Sequence, residues 1–234
     1  MPEFDRSTPV TVAVRAQSGT VDIHAEERTT VVAEVVPLDG TDASRHAAQN
    51  TVIALDGDTL VVSAPESSGW SWRRPPKLGV TVRVPLDSSI TARTASADLR
   101  ATGRYAQAQV ILASGDAEVE DVTGDVQMEA ASGDITVHSA GGAVKAGTAS
   151  GDVQIGVLRQ GDVQIRSASG DVKVGVAAGT GVWLDVTTAS GSTTNELTMG
   201  LAAPVTATAA LRLHIRTASG DIEIRRVTAS ARAA

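Results

Sequence analysis

Thr148-Ala149-Ser150-Gly151-Asp152-Val153-Gln154-Ile155 decides the fold, because the same phrase returns along the chain. Ser-Gly-Asp stands at Ser114-Gly115-Asp116, Ser132-Gly133-Asp134, Ser150-Gly151-Asp152, Ser169-Gly170-Asp171 and Ser219-Gly220-Asp221. Altered copies occupy Ser96-Ala97-Asp98 and Ser190-Gly191-Ser192. From 96 to 114, 132 and 150 each step is 18 residues, and the later steps are 19, 21 and 29. Fainter echoes fall near the midpoints, at Thr123-Gly124-Asp125, Gly141-Gly142-Ala143 and Gln160-Gly161-Asp162. The unit is therefore about nine residues, used twice per turn, and a fixed period of this kind specifies a solenoid.

Each unit reads as a corner followed by a strand. Asp134-Ile135-Thr136-Val137, Asp152-Val153-Gln154-Ile155, Asp162-Val163-Gln164-Ile165, Asp171-Val172-Lys173-Val174 and Asp221-Ile222-Glu223-Ile224 all alternate polar and apolar. Alternate side chains of a strand face opposite ways, so the first and third residues after Asp point inward. β-Branched residues hold those sites, as strands prefer. The preceding Gly can take positive φ at a tight corner, and the Asp carboxylate can accept backbone N–H bonds there. About nine residues leave no room for a crossover helix. The expectation is an all-β, right-handed parallel β-solenoid (β-helix) of about 18 residues per coil, with an N-terminal β cap. One coil alone cannot offset its own ordering entropy, so coils must stack consecutively and the ends must be closed.

The chain has 234 residues, 42% of them hydrophobic but only 2% aromatic, with 22 Gly and no Cys. That is a folded composition without a disulfide framework. A formal net charge of −7 argues against a general nucleic-acid binder, which needs a basic face. No apolar run reaches signal-peptide or membrane-span length, so a cytoplasmic location is expected, with a membrane-peripheral one as the variant.

Residues 9–94 read as β with one interruption. Val10 to Val14 alternates, and Thr20-Val21-Asp22-Ile23 follows Ser18-Gly19 as a degenerate first copy of the unit. Asp56-Gly57 marks a hairpin turn before Thr59 to Val62. Asp42 to Gln49 fits two turns of helix with Asp42 as N-cap. The region is expected to cap the solenoid, the other reading being a separate small β-sandwich. Solenoid repeats are expected over 95–226, broken by a C-terminal capping insertion at 197–210 that Trp183 and Leu184 assist. Asp221 to Ile224 closes the last coil in this reading, and 227–234 is a frayed tail. A blocked C-terminal end favours a monomer or closed dimer over an open filament.

Three kinds of chemistry deserve weighing. The corner carboxylates Asp116, Asp134, Asp152 and Asp171 should stack at the strand spacing, where they repel by about 0.9 kcal/mol per pair in water. A calcium ion could relieve this, but the turn has one Gly and no second carboxylate, so backbone capping is the preferred reading. A glycan-active enzyme would need paired acids on neighbouring coils. The outward residues after the corners are Arg100, Glu118, Thr136, Gln154, Lys173, Thr194 and Glu223; the opposite face offers Gln109, Gln127, Lys145 and Gln164. Neither series sets two acids side by side, and neither shows an outward aromatic. His24, His46, His138 and His214 have no metal-ligand spacing, and three of them fall on outward strand positions. No cofactor is expected. The best contact candidate is the loop at 67–77, with Trp70, Trp72, Arg73, Arg74 and Lys77 beside two prolines that forbid a central strand. Trp beside cations suits a protein partner or an anionic cell-envelope or membrane surface.

The run of T/A-S-G-D-V/I-x-V/I units resembles a large bacterial family of candidate adhesins with Ser-Gly-Asp β-strand repeats. Thr91-Ala92-Arg93-Thr94-Ala95-Ser96-Ala97-Asp98 and Arg216-Thr217-Ala218-Ser219-Gly220-Asp221-Ile222 resemble its actinobacterial members. The resemblance covers roughly residues 4–226. It implies a parallel β-solenoid and supplies no catalytic residues. The expected function is a non-enzymatic scaffold or binding module, with a glycan-active β-helix enzyme or a calcium-binding repeat as alternatives.

Overall fold

The computed structural model describes residues 2–65, 75–197 and 210–227. In chain order the first strands are β1 (Glu3–Asp5), β2 (Thr11–Glu26) and β3 (Thr30–Pro37). The helix α1 (Asp42–Gln49) precedes β4 (Val52–Asp56), β5 (Thr59–Ser63) and β6 (Lys77–Pro85). The long β7 (Ser88–Ser114) is followed by β8 (Ala117–Val122), β9 (Val126–Ser132), β10 (Ile135–Ala140), β11 (Val144–Ser150) and β12 (Val153–Leu158). Then come β13 (Gly161–Ser169), β14 (Val172–Ala177), β15 (Val182–Ser190), β16 (Thr193–Asn195), β17 (Leu211–Ser219) and β18 (Ile222–Val227).

These strands form two parallel columns, as the alternation implies. The strands after each Ser-Gly-Asp corner stack as β7, β8, β10, β12 and β14, in register: Ile135 lies opposite both Ala117 and Val153. The strands of the other half-turn stack as β7, β9, β11 and β13. Inward side chains fall on their own equivalents, so Val119, Val137, Ile155, Val174 and Ile224 make one continuous row. Facing it, Val110, Met128, Ala146, Ile165 and Ile215 make another. Every one of these ten side chains is buried. Burying each Val or Ile contributes about 1.5–3 kcal/mol, and the parallel ladder satisfies the backbone between coils.

The coil order in space departs from the order in the chain at both ends. At the start, β2 lies between β6 and β7: Val21 is opposite Val80 on one side and Leu99 on the other. At the finish, β17 lies between β13 and β15, and β18 between β14 and β16. The coil carrying Asp221 to Ile224 is thus second from the end, and the earlier segment 182–195 is outermost among the described residues. Any strand of matching alternation can accept its neighbour from either side, so periodicity alone left this order open.

The N-terminal closure reverses strand direction. β4 forms an antiparallel hairpin with β5 across Asp56-Gly57, where Gly57 has φ 56°. β3 runs antiparallel to β6, and β1 antiparallel to β3. The residue that caps α1 is Thr41, not Asp42: Thr41 is extended and its Oγ1 accepts the Ser44 N–H at 3.2 Å. Asp42 sits one position later, in the first turn, where a carboxylate still favours the helix dipole. Because β2, β5 and β6 are rungs of the same stack and share its core, the change expected at residue 95 falls inside β7. Tyr105, fully buried, fastens this end: its hydroxyl lies 2.8 Å from Ile23 O and 2.9 Å from Thr102 O. Burial pushes the phenol far above its ordinary pKa, so it stays a donor.

Candidate functional site

The corner carboxylates are the first candidates, and the structure gives each a backbone task. Asp98 Oδ1 accepts the Asp116 N–H at 3.1 Å, and Asp116 Oδ1 accepts that of Asp134 at 2.9 Å. Asp134 serves Asp152, Asp152 serves Asp171 and Asp171 serves Asp221, each at 2.8 Å. Asp221 Oδ1 ends the ladder by accepting both the N–H and the hydroxyl of Ser192, at 2.7 and 2.9 Å. Those two bonds hold the Asp221 carboxyl below its ordinary range. The amide served belongs to the next coil, not to the same corner. On the opposite corner Asp125 Oδ1 does the same for Ala143 N–H at 2.9 Å. Among the described residues no group of three or more His, Cys, Asp or Glu is placed to hold a metal ion.

The glycines beside them explain why the corners stack so closely. Gly151 has φ 141°, and a methyl built on it would overlap the carbonyl oxygen of Gly133 one coil away. Gly220 stands in the same relation to Gly170, and Gly191 to Gly220. The carboxylates of this column knit coil to coil.

Of the loop candidates, Trp70, Trp72, Arg73 and Arg74 lie outside the described residues. Lys77 opens β6; its N–H donates to the buried Ser44 hydroxyl at 2.9 Å and its carbonyl accepts from Leu38 N–H at 2.9 Å. The C-terminal foot of the loop is therefore pinned to α1.

The two outer faces carry the remaining polar groups. On the first, Arg100, Glu118, Thr136, Gln154, Lys173, Glu223 and Thr194 fall in one row in that spatial order. Glu118 binds His138 Nε2 at 2.8 Å and lies 3.5 Å from the Arg100 Nε. The His138 bond, then Arg100, hold this carboxyl below its ordinary range. Glu120 Oε2 accepts the Gly103 N–H at 2.7 Å beside a depression of about 300 Å³. His138 was legible as an outward residue, but its partner was not, because the pair reaches diagonally across coils.

On the second face Gln109, Gln127, Lys145, Gln164, His214 and Asp185 form a row, one residue per coil. Two residues upstream on each strand runs a parallel row that ends with Asp162, Arg212 and Trp183. Along these rows as far as Asp162 and Gln164, short of Trp183, lies an open trough of about 500 Å³, floored in part by Ile90, Ala108, Val126 and Val144. Trp183 corrects the expectation of a face without outward aromatics. It is 48% exposed and tilted against His214, with ring centroids 4.9 Å apart. Its neighbour Leu184 instead turns toward the core.

With this geometry in hand, comparison with known proteins is informative about the fold. No curated protein matches the chain. Several solved structures resemble it, three of them as follows. A candidate adhesin from Bacteroides fragilis is 10% identical, with TM-score 0.48 and coverage of 97% of this chain and 95% of the other. A candidate cell adhesion protein from Clostridium sporogenes is 10% identical, with TM-score 0.43 and coverage of 95% and 94%. A candidate lipid binding protein from Parabacteroides distasonis is 12% identical, with TM-score 0.41 and coverage of 97% and 95%. The model of the family described as Toastrack DUF4097 matches residues 6–225, nearly the whole of the stacked structure, and the chain belongs to that family.

Proposed function

We propose that this protein is a non-enzymatic binding module, a rigid parallel stack whose outer faces and 67–77 loop hold a partner. The observation that carries the reading is the register of the outward rows. Side chains such as Arg100, Glu118 and Thr136 repeat one per coil on a backbone whose Ser-Gly-Asp corners are tied from Asp98 to Ser192. Such a surface offers polar groups at fixed spacing along one axis, which is what an extended or flat partner requires. The corner carboxylates, which a calcium-dependent module would need, are engaged with backbone amides. No helix among the described residues is long and apolar enough to cross a membrane.

Immobilised protein exposed to a lysate and envelope fraction of the native cell tests this reading. Retention of a defined partner, reduced in a Trp70→Ala/Trp72→Ala variant of unchanged melting temperature, supports the loop as its contact. Turnover of an envelope component during the incubation would overturn the non-enzymatic reading.

A further inference from the structure

We infer that the second outer face binds an extended, neutral polysaccharide chain laid along the stack axis, with Trp183 as a stacking platform at its C-terminal end. This inference rests on the binding-module reading above and adds a ligand class and a place.

Three observations carry it. First, the row Gln109, Gln127, Lys145, Gln164, His214 repeats one group per coil at about 4.8 Å, comparable to the length of one sugar in an extended glycan. Each sugar of such a chain meets one outward side chain, of which Lys145 is shared with Glu129 and His214 with Asp185, each at 3.4 Å. Second, the amides on this face are not spent on each other. The side chains of Gln109 and Gln164 are exposed and make no hydrogen bond among the described residues, while Gln127 Nε2 donates to Glu129 Oε1 at 3.4 Å. A carboxamide both donates and accepts, which is the pairing that hydroxyl and acetamido groups need. Third, the upstream row supplies an aromatic plane at one end of the same face. Trp183 is exposed, and His214 packs against it and limits its rotation. An indole face stacks on the C–H face of a pyranose through apolar contact.

The charges favour a neutral polymer. Asp125 and Asp162 border the trough together with Lys145, while Arg212 stands next to Asp162 in the upstream row. Both signs are present there, with Lys145 paired to Glu129, so the face has no strong field to select a polyanion. The trough is long and shallow, which suits a chain lying across several coils rather than a small molecule enclosed in a pocket. No carboxylate pair is invoked, and the inference concerns binding alone.

Affinity electrophoresis of the whole protein through gels containing hydroxyethyl cellulose, glucomannan or glycol chitin tests it, with dextran and polygalacturonate as controls. Retardation by at least one of the first three is expected, with dextran and polygalacturonate without effect. Trp183→Ala should weaken binding about tenfold, and Gln109→Ala/Gln164→Ala several-fold, at unchanged melting temperature. Trp70→Ala/Trp72→Ala should bind the polysaccharide as the parent does. The inference is overturned if none of hydroxyethyl cellulose, glucomannan and glycol chitin retards the protein, if dextran retards it equally, or if both face variants bind like the parent. Retention of a protein partner through Trp70 and Trp72, with no retardation by any glycan, removes this inference and leaves the binding-module reading standing.

Discussion

The two ends of the stack solve the same problem differently. At the N-terminal end the outermost coil, β5 and β6, is met by strands of opposite direction, and α1 packs over Leu78 through Ala47. At the C-terminal end β15 and β16 are parallel to their neighbours and are outermost among the described residues. Val182, Leu184 and Val186 of β15 are only half-buried there, whereas Leu60 and Val62 of β5 are fully enclosed. The reversed strands break the parallel register that another chain could copy, while a parallel rung keeps it. Closure of a solenoid is thus a matter of changing strand direction as well as of covering apolar surface.

That contrast can be broken by substitution. The largest effect should come from Gly220→Ala and Gly19→Ala, each within an enclosed coil and each placing a methyl on a backbone carbonyl at positive φ. Chemical denaturation should show a loss of at least about 3 kcal/mol for either. Gly191→Ala makes the equivalent overlap in the outermost coil, which can yield outward, so its loss should stay near 1 kcal/mol. Equal losses at Gly191 and Gly220 would show that the C-terminal coil is held as firmly as the other end.

A smaller effect isolates the N-terminal fastening. Tyr105→Phe keeps the packing and removes the bond to Ile23 and Thr102, which should cost about 1–2 kcal/mol in equilibrium unfolding. Asp152→Ala, in the middle of the ladder, should cost about 1 kcal/mol, as loss of a capping acceptor does elsewhere. An unchanged midpoint for Asp152→Ala would mean that water replaces the carboxylate without loss.

Acid should act on both ends. Asp87, paired with Arg104 beside the first coils, and Asp221, bonded to Ser192 beside the last, both have folded pKa values below the ordinary 3.8. A depressed folded value means that the unfolded state binds the proton more readily. Their contribution is therefore complete above about pH 4 and is lost as pH falls through the folded values. Melting temperature should drop below pH 4, less steeply in Asp87→Asn and Asp221→Asn. Salt should weaken the Asp87 contribution alone, because it is an ion pair between half-exposed groups. The smallest expected change is none: millimolar calcium should leave the melting temperature where it is, since Oδ1 of each ladder carboxylate already accepts an amide and no three acids gather among the described residues. A rise in calcium would revive the metal reading for Asp116, Asp134, Asp152 and Asp171.

Much of this was written in the repeat. The steps from Ser96 to Ser150 specify both the coil length and the register, because each Val or Ile must land on its equivalent to stay dry. The destination of each carboxylate was half legible: Asp at a corner implies a capped amide, but not that the amide belongs to the following coil. The order of the terminal coils was not legible, since β2 and β17 alternate like every other strand and would fit against several neighbours. The period fails soon after Trp183, which points to a cap, yet Trp183 keeps the outward phase of its strand. Tyr105 carried no periodic signal, being a single large side chain that fills a corner.

The interleaved coils near the termini have a consequence for how such proteins can vary. β2 near one end, and β17 and β18 near the other, lie beneath an outer turn, so each termination is a local arrangement of its own. The uniform middle, from Asp116 to Asp152, is joined to itself by identical contacts. Excising residues 133–150 should therefore shorten the molecule by one turn and leave both terminations intact. Evolution could adjust the span of this family like the rungs of a ladder, without redesigning either foot.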